Sequence, residues 1–70
     1  MQVNITIIYM DSEISMGKAE GENAMLDAWE QALSDYPEMY AGLELDCKVS
    51  IVVNGKRKEI PYWDALAIIC

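Results

Sequence analysis

The sequence predicts a single small α+β domain. Three observations carry this: apolar residues alternate at every second position near the N-terminus, a helical stripe fills the middle, and a second alternating run ends in a hairpin turn. The chain has 70 residues, 53% of them hydrophobic, which is too apolar for a disordered segment despite its net charge. A chain this short buries only about 60% of the surface its unfolded form exposes. Its core must therefore be thin, and residues 1–70 are expected to form one domain without a deep, fully walled pocket.

In residues 2–10, Val3, Ile5, Ile7 and Tyr9 alternate with Gln2, Asn4 and Thr6, the period of a half-buried strand. Ile8 and Met10 interrupt the polar side, as in a strand covered on both faces or one whose second face meets another chain. The stretch from Asp11 to Gly21 has no apolar period and contains Ser12, Ser15 and Gly17, so it reads as a loop entering a helix. Met25, Trp29, Leu33 (with Ala32) and Tyr36 then recur at helical spacing, Leu26 widens the stripe, and Asp27, Glu30, Gln31 and Ser34 fall opposite. Trp29 and Tyr36 are expected in the core, because a small domain needs its aromatics inside. Pro37 disfavours helical geometry at Tyr36 and ends the helix, leaving room for one more turn before Gly42.

From Leu43 the period returns to two, with Leu43, Leu45, Cys47, Val49, Ile51 and Val53 against Glu44, Asp46, Lys48 and Ser50. Asn54-Gly55 supplies the two positive φ angles of a type I′ turn, so a strand from Lys56 to Tyr62 returns alongside. The turn sets the register: Val53 with Lys56, Ile51 with Lys58, Val49 with Ile60 and Cys47 with Tyr62. Lys56 and Lys58 then fall on the apolar side near the tip, where their ammonium groups must reach past the core to water. Pro61 places this strand at an edge or at its own end. Residues 62–70 are nearly all apolar and read as a two-turn helix with Pro61 near its start. The element order is then β-α-β-β-α, an antiparallel hairpin joined by an N-terminal strand, with one amphipathic helix packed on the sheet. In architecture it resembles half of a ferredoxin-like fold without the final strand.

Charge is unevenly distributed. Residues 1–46 hold ten acids, Asp11, Glu13, Glu20, Glu22, Asp27, Glu30, Asp35, Glu38, Glu44 and Asp46, against Lys18 alone. Residues 47–70 hold Lys48, Lys56, Arg57 and Lys58 against Glu59 and Asp64, and the whole chain sums to −7. A helix from Glu20 to Glu38 would carry six of the acids over roughly 28 Å. The basic tip could touch phosphate or an acidic partner, though three charges on a hairpin end more often guard against edge pairing, and the overall negative field argues against direct nucleic-acid binding.

Catalysis is not expected. There is no histidine, so the usual base for activating a serine or cysteine is missing, as is the commonest zinc ligand. Gly17-Lys18 lacks the upstream glycine and following hydroxyl of a phosphate loop. Asp11, Glu13, Ser15 and Glu22 match positions one, three, five and twelve of a calcium loop, yet Met16 occupies the position that requires glycine. Cys47 and Cys70 form no C-x-x-C pair and are expected as free thiols, and no cofactor or metal is expected. The start of the chain does not read as a secretory signal and no apolar run is long enough to span a membrane, so the cytoplasm is the expected compartment.

In its size, in its run of acids from Asp11 to Asp46 and in its compact element order, the chain resembles the small inhibitors that phages make against bacterial defence systems, including anti-CRISPR proteins. The resemblance is one of class and implies a protein partner with a basic surface, within a nucleoprotein complex of the host. The ten acids are the partner-binding residues on that reading. The alternative is an adaptor or homodimer in which Trp63, Leu66 and Ile69 of the C-terminal segment form a symmetric interface. Tyr40, Tyr62 and Trp63, at element ends, are further candidates for an interface or for caps on the core.

Overall fold

The computed structural model describes residues 1–69. Its elements are β1 (Gln2–Tyr9), β2 (Ser12–Glu20), α1 (Ala24–Ser34), 3₁₀ turns at Glu38–Tyr40 and Glu44–Asp46, β3 (Cys47–Val53), β4 (Lys56–Pro61) and α2 (Tyr62–Ile69). The strands form one sheet in the order β2-β1-β3-β4 with every neighbour antiparallel. The α+β class is as expected, but the order is β-β-α-β-β-α, and the half ferredoxin-like arrangement does not form: β1 lies between the two strands that flank α1, and β4 lies at the sheet edge.

The added strand is β2, where a loop was expected. Two features hid it. Its hairpin turns on Met10 and Asp11, both at positive φ (48° and 66°), without the glycine that ordinarily announces such a turn. Its helix-facing residues are Ser15, Gly17 and Ala19, opposite Ile7, Ile5 and Val3 of β1, and they are small because α1 lies directly on them. A Cβ at Gly17 would collide with the Ala28 carbonyl oxygen and come within 2.7 Å of the Ala32 nitrogen. Ala24, Ala28 and Ala32, spaced four apart on one helix face, are all fully buried.

This ridge of alanines also corrects the helical stripe. The buried side of α1 is Ala24, Ala28, Trp29 and Ala32, whereas Leu26 and Leu33 are exposed. The helix is shorter than expected, since Glu20 ends β2, Glu22 lies in the turn before Ala24, and Glu38 lies in a 3₁₀ turn. Only Asp27 and Glu30 of the six acids fall within it, and Asp35 caps its end.

The second hairpin has the expected register from Val53↔Lys56 through Ile51↔Lys58 to Val49↔Ile60, with Asn54 and Gly55 at φ 50° and 86°. The ladder stops at Lys48↔Pro61, so Cys47 has no cross-strand partner in Tyr62, which instead opens α2. Leu43 and Leu45 are not in the strand. Leu43 precedes a 3₁₀ turn, and Leu45 within that turn is 81% exposed.

β1 is the centre of the molecule. Val3, Ile5 and Ile7 are fully buried on the helix side, with Val49, Ile51 and Cys47 of β3 beside them. Trp29 of α1 meets Tyr62 of α2 at a ring separation of 5.5 Å. Both turn regions at the lower end of the sheet tie to the start of β1: the Gly21 N–H donates to the Met1 carbonyl (2.9 Å), and the Gln2 N–H donates to Asn54 Oδ1 (3.0 Å). No helix among the described residues is long and apolar enough to cross a membrane.

Candidate protein-binding surface

Strand direction decides where the acids go. β2 descends from the Met10–Asp11 turn to Gly21, and α1 climbs back, so Asp11, Asp35, Glu38, Glu44 and Asp46 belong to the upper end and Glu20 and Glu22 to the lower. Glu20, Asp27 and Glu30 border one shallow groove between β2 and α1, together with Ala19, Gln31 and Ser34. Asp11 and Asp46 border a second recess at the upper end with Ile8, Met10, Lys48 and Glu59. Glu13 lies on the sheet face away from α1, paired with Ile8. Nine of the ten acids therefore fall along the β2–α1 side and its lower turn or at the upper end, Glu13 stands apart on the uncovered sheet face, and they do not form one helical row.

None of the ten has a cationic partner among the described residues. Both ion pairs there converge on Glu59, with Arg57 at 3.2 Å and Lys48 at 4.0 Å. Nine of the ten acids are exposed and Glu44 is half-buried. Among the described residues their only side-chain hydrogen bond is at Glu20, whose Oε1 accepts from Gln2 Nε2 at 3.2 Å. The basic tip Lys56-Arg57-Lys58 lies at the lower corner of the opposite sheet edge, so the charge separation seen in the sequence is a separation in space.

The uncovered sheet face is a second surface. Strand pairing lays out Lys18, Asn4, Val52 and Arg57 in one row across the four strands, and Met16, Thr6, Ser50 and Glu59 in the next. All of these but Glu59 frame a shallow depression of about 310 Å³ that also touches Ile8 and Glu13. Asn4 Oδ1 is buried there without a hydrogen-bond partner. Ile8, flagged by the sequence, belongs to this face, which no other element covers. Among the described residues, no trio of potential ligands is placed to hold a metal ion. The Asp11–Glu22 stretch is a strand hairpin, with no loop to wrap a calcium ion.

The C-terminal residues divide. Trp63 is 51% exposed and packs edge-on against Tyr62 at 5.4 Å, whereas Leu66 and Ile69 pack against the core. Ile68, which the sequence reading did not single out, is 54% exposed. Tyr62 is buried, and Tyr40 stacks obliquely on Tyr9 (5.3 Å) and Tyr36 (6.4 Å), so these two cap the core. The Tyr36 hydroxyl donates to the Tyr40 carbonyl at 2.6 Å, and burial pushes its pKa well above the usual tyrosine value. Burial likewise raises the Cys47 thiol, which donates to the Leu43 carbonyl at 3.4 Å. A buried thiol held protonated is a poor nucleophile. Cys70 lies outside the described residues. No protein-family model matches the chain, and no curated protein or solved structure matches it.

Proposed function

We propose that the chain is a non-catalytic binding domain that docks its acidic surface on a basic, nucleic-acid-binding surface of a host protein and blocks it, in the manner of a phage-encoded inhibitor of bacterial defence. The observation that carries this reading is that, among the described residues, none of the ten acids has a salt-bridge partner, while Lys48 and Arg57 are taken up by Glu59 and Lys56 and Lys58 lie at the far corner. Unpaired exposed carboxylates repel one another, and a partner that supplies cations relieves that repulsion as it binds. The geometry favours a partner contacted along the β2–α1 side and around the upper end over one that reads a single helix.

The test is recovery of a nucleic-acid-binding protein from bacterial lysate on the immobilised domain, followed by competition between the domain and that protein's own nucleic acid. The expected result is displacement of the nucleic acid at low salt, weakening as ionic strength rises. Reversing Asp27 and Glu30 to lysine should weaken the competition by at least about tenfold, whereas Lys56→Glu with Lys58→Glu should leave it intact or strengthen it. Equal indifference to both pairs of changes would reject the proposal.

A further inference from the structure

The sheet has two open edges, and they are complementary. On an antiparallel edge strand every second residue turns both its N–H and its C=O outward. On β2 the Lys18 N–H is bonded at 3.2 Å to Gln31 Oε1 of α1, outside the ladder with β1, which assigns Met16, Lys18 and Glu20 to the outward set. On β4 the two-residue turn makes Val53 and Lys56 a bonded pair, so Arg57, Glu59 and Pro61 turn outward. Pro61, without an N–H, thus stands where a missing donor costs no ladder bond.

We infer that β4 of one copy pairs with β2 of the next, extending the sheet from molecule to molecule. The strand directions allow it: β2 and β4 run oppositely at the two edges of one sheet, so copies placed side by side in the same orientation bring them together antiparallel. The charges select the register. Setting Arg57 opposite Glu20 puts Glu59 opposite Lys18 and Pro61 opposite Met16, with all six residues on the uncovered face and in the outward sets; Pro61, lacking an N–H, gives the Met16 carbonyl no donor, so the shared ladder ends there. Both charged pairs are then of opposite sign, the favourable arrangement for directly opposed residues, and they form in exchange for the exposed Arg57–Glu59 contact within each copy. Lys56 and Lys58 point to the helix-bearing side, where Asp27 and Glu30 border β2 of the neighbour. The interface is head-to-tail, so each added copy leaves the same two edges free.

Gln31 acts as a guard in this arrangement. Its side chain occupies the Lys18 N–H that would otherwise donate to Glu59 of the next copy, and association requires it to swing away. Edge pairing is thereby held in check rather than forbidden.

The test is sedimentation of the full chain over a concentration series at moderate ionic strength, where the repulsion between net negative molecules is screened but contact pairs persist. The expected result is a weight-average mass that rises with concentration. Gln31→Ala should shift the rise to lower concentration. Arg57→Glu with Lys58→Glu, and separately Glu20→Lys with Asp27→Lys, should each abolish it, and mixing the two reversed proteins should restore it. A wild-type protein that stays monomeric throughout overturns the inference, as does failure of the mixture to associate when circular dichroism shows both variants folded. The inference stands apart from the proposed function: the Arg57 and Lys58 reversals leave every acid of the partner surface in place, so loss of self-association alone separates the two.

Discussion

Gly17 shows how a single position can be read correctly as a residue type and wrongly as structure. Glycine in a stretch with serine and no apolar period normally marks a loop, yet here the missing side chain is what lets α1 settle on β2. The backbone of Ala28 and Ala32 leaves no space for a Cβ, so Gly17→Ala should destabilise the domain by about 1–3 kcal/mol, through overpacking and not through backbone strain. Chemical denaturation of the two proteins measures this directly. Tyr36 and Cys47 make a second prediction, in the alkaline range. Burial raises both groups' pKa values, so the folded chain retains protons that the unfolded chain releases. Below about pH 8.5, the value of a free thiol, both states are protonated and the stabilisation is fully present. As pH climbs above that value it is progressively lost. Tyr36→Phe with Cys47→Ala should flatten the pH dependence of the denaturation midpoint above about pH 9, whatever it does to the midpoint at pH 7.

Whole elements were legible where their local chemistry agreed with their packing. Asn54-Gly55 and the alternation before it set the second hairpin and its register, and Pro61 marked both an edge strand and the step into α2. β2 was not legible because Met10 and Asp11 adopt a glycine-like turn, and because its core-facing side is read from residue size and not from hydrophobicity. The same cause misplaced the buried face of α1, where alanines outrank the larger Leu26 and Leu33. Helix α2 was legible in extent, but its apolarity could not tell inward from outward residues. The structure separates them. Leu66→Asp should unfold the domain or cost about 2–5 kcal/mol, since it places a charge against the core. Ile68→Asp, on the exposed side, should stay within about 0.5 kcal/mol of wild type. Thermal melts of the two variants make the comparison, and equal losses would mean that α2 is seated differently.

For the molecule as a whole, composition disclosed the separation of charge but not its shape. Counting placed ten of the twelve acids before residue 47 and four of the five bases after it. Only the path of the chain shows that most of the acids occupy one side and one end, with Glu13 on the uncovered face, since the row of six on a single helix depended on an α1 nearly twice its real length. The binding surface proposed is accordingly broader and more sparsely charged than a helical mimic of a nucleic-acid strand. Its association should respond to salt through many small contributions, and no single carboxylate substitution should abolish it.

The central position of β1 bears on how the chain is made. Of the four strands β1 is made before both of its sheet neighbours, and its second flank, β3, follows only after β2 and α1. Until Cys47–Val53 appears, a nascent β1-β2-α1 unit presents Val3, Ile5 and Ile7 beside a bare backbone edge. Chains interrupted before that point should accumulate as insoluble material, and the full-length protein should refold more slowly than its size alone implies, because the β1–β3 contact closes a loop spanning most of the polypeptide.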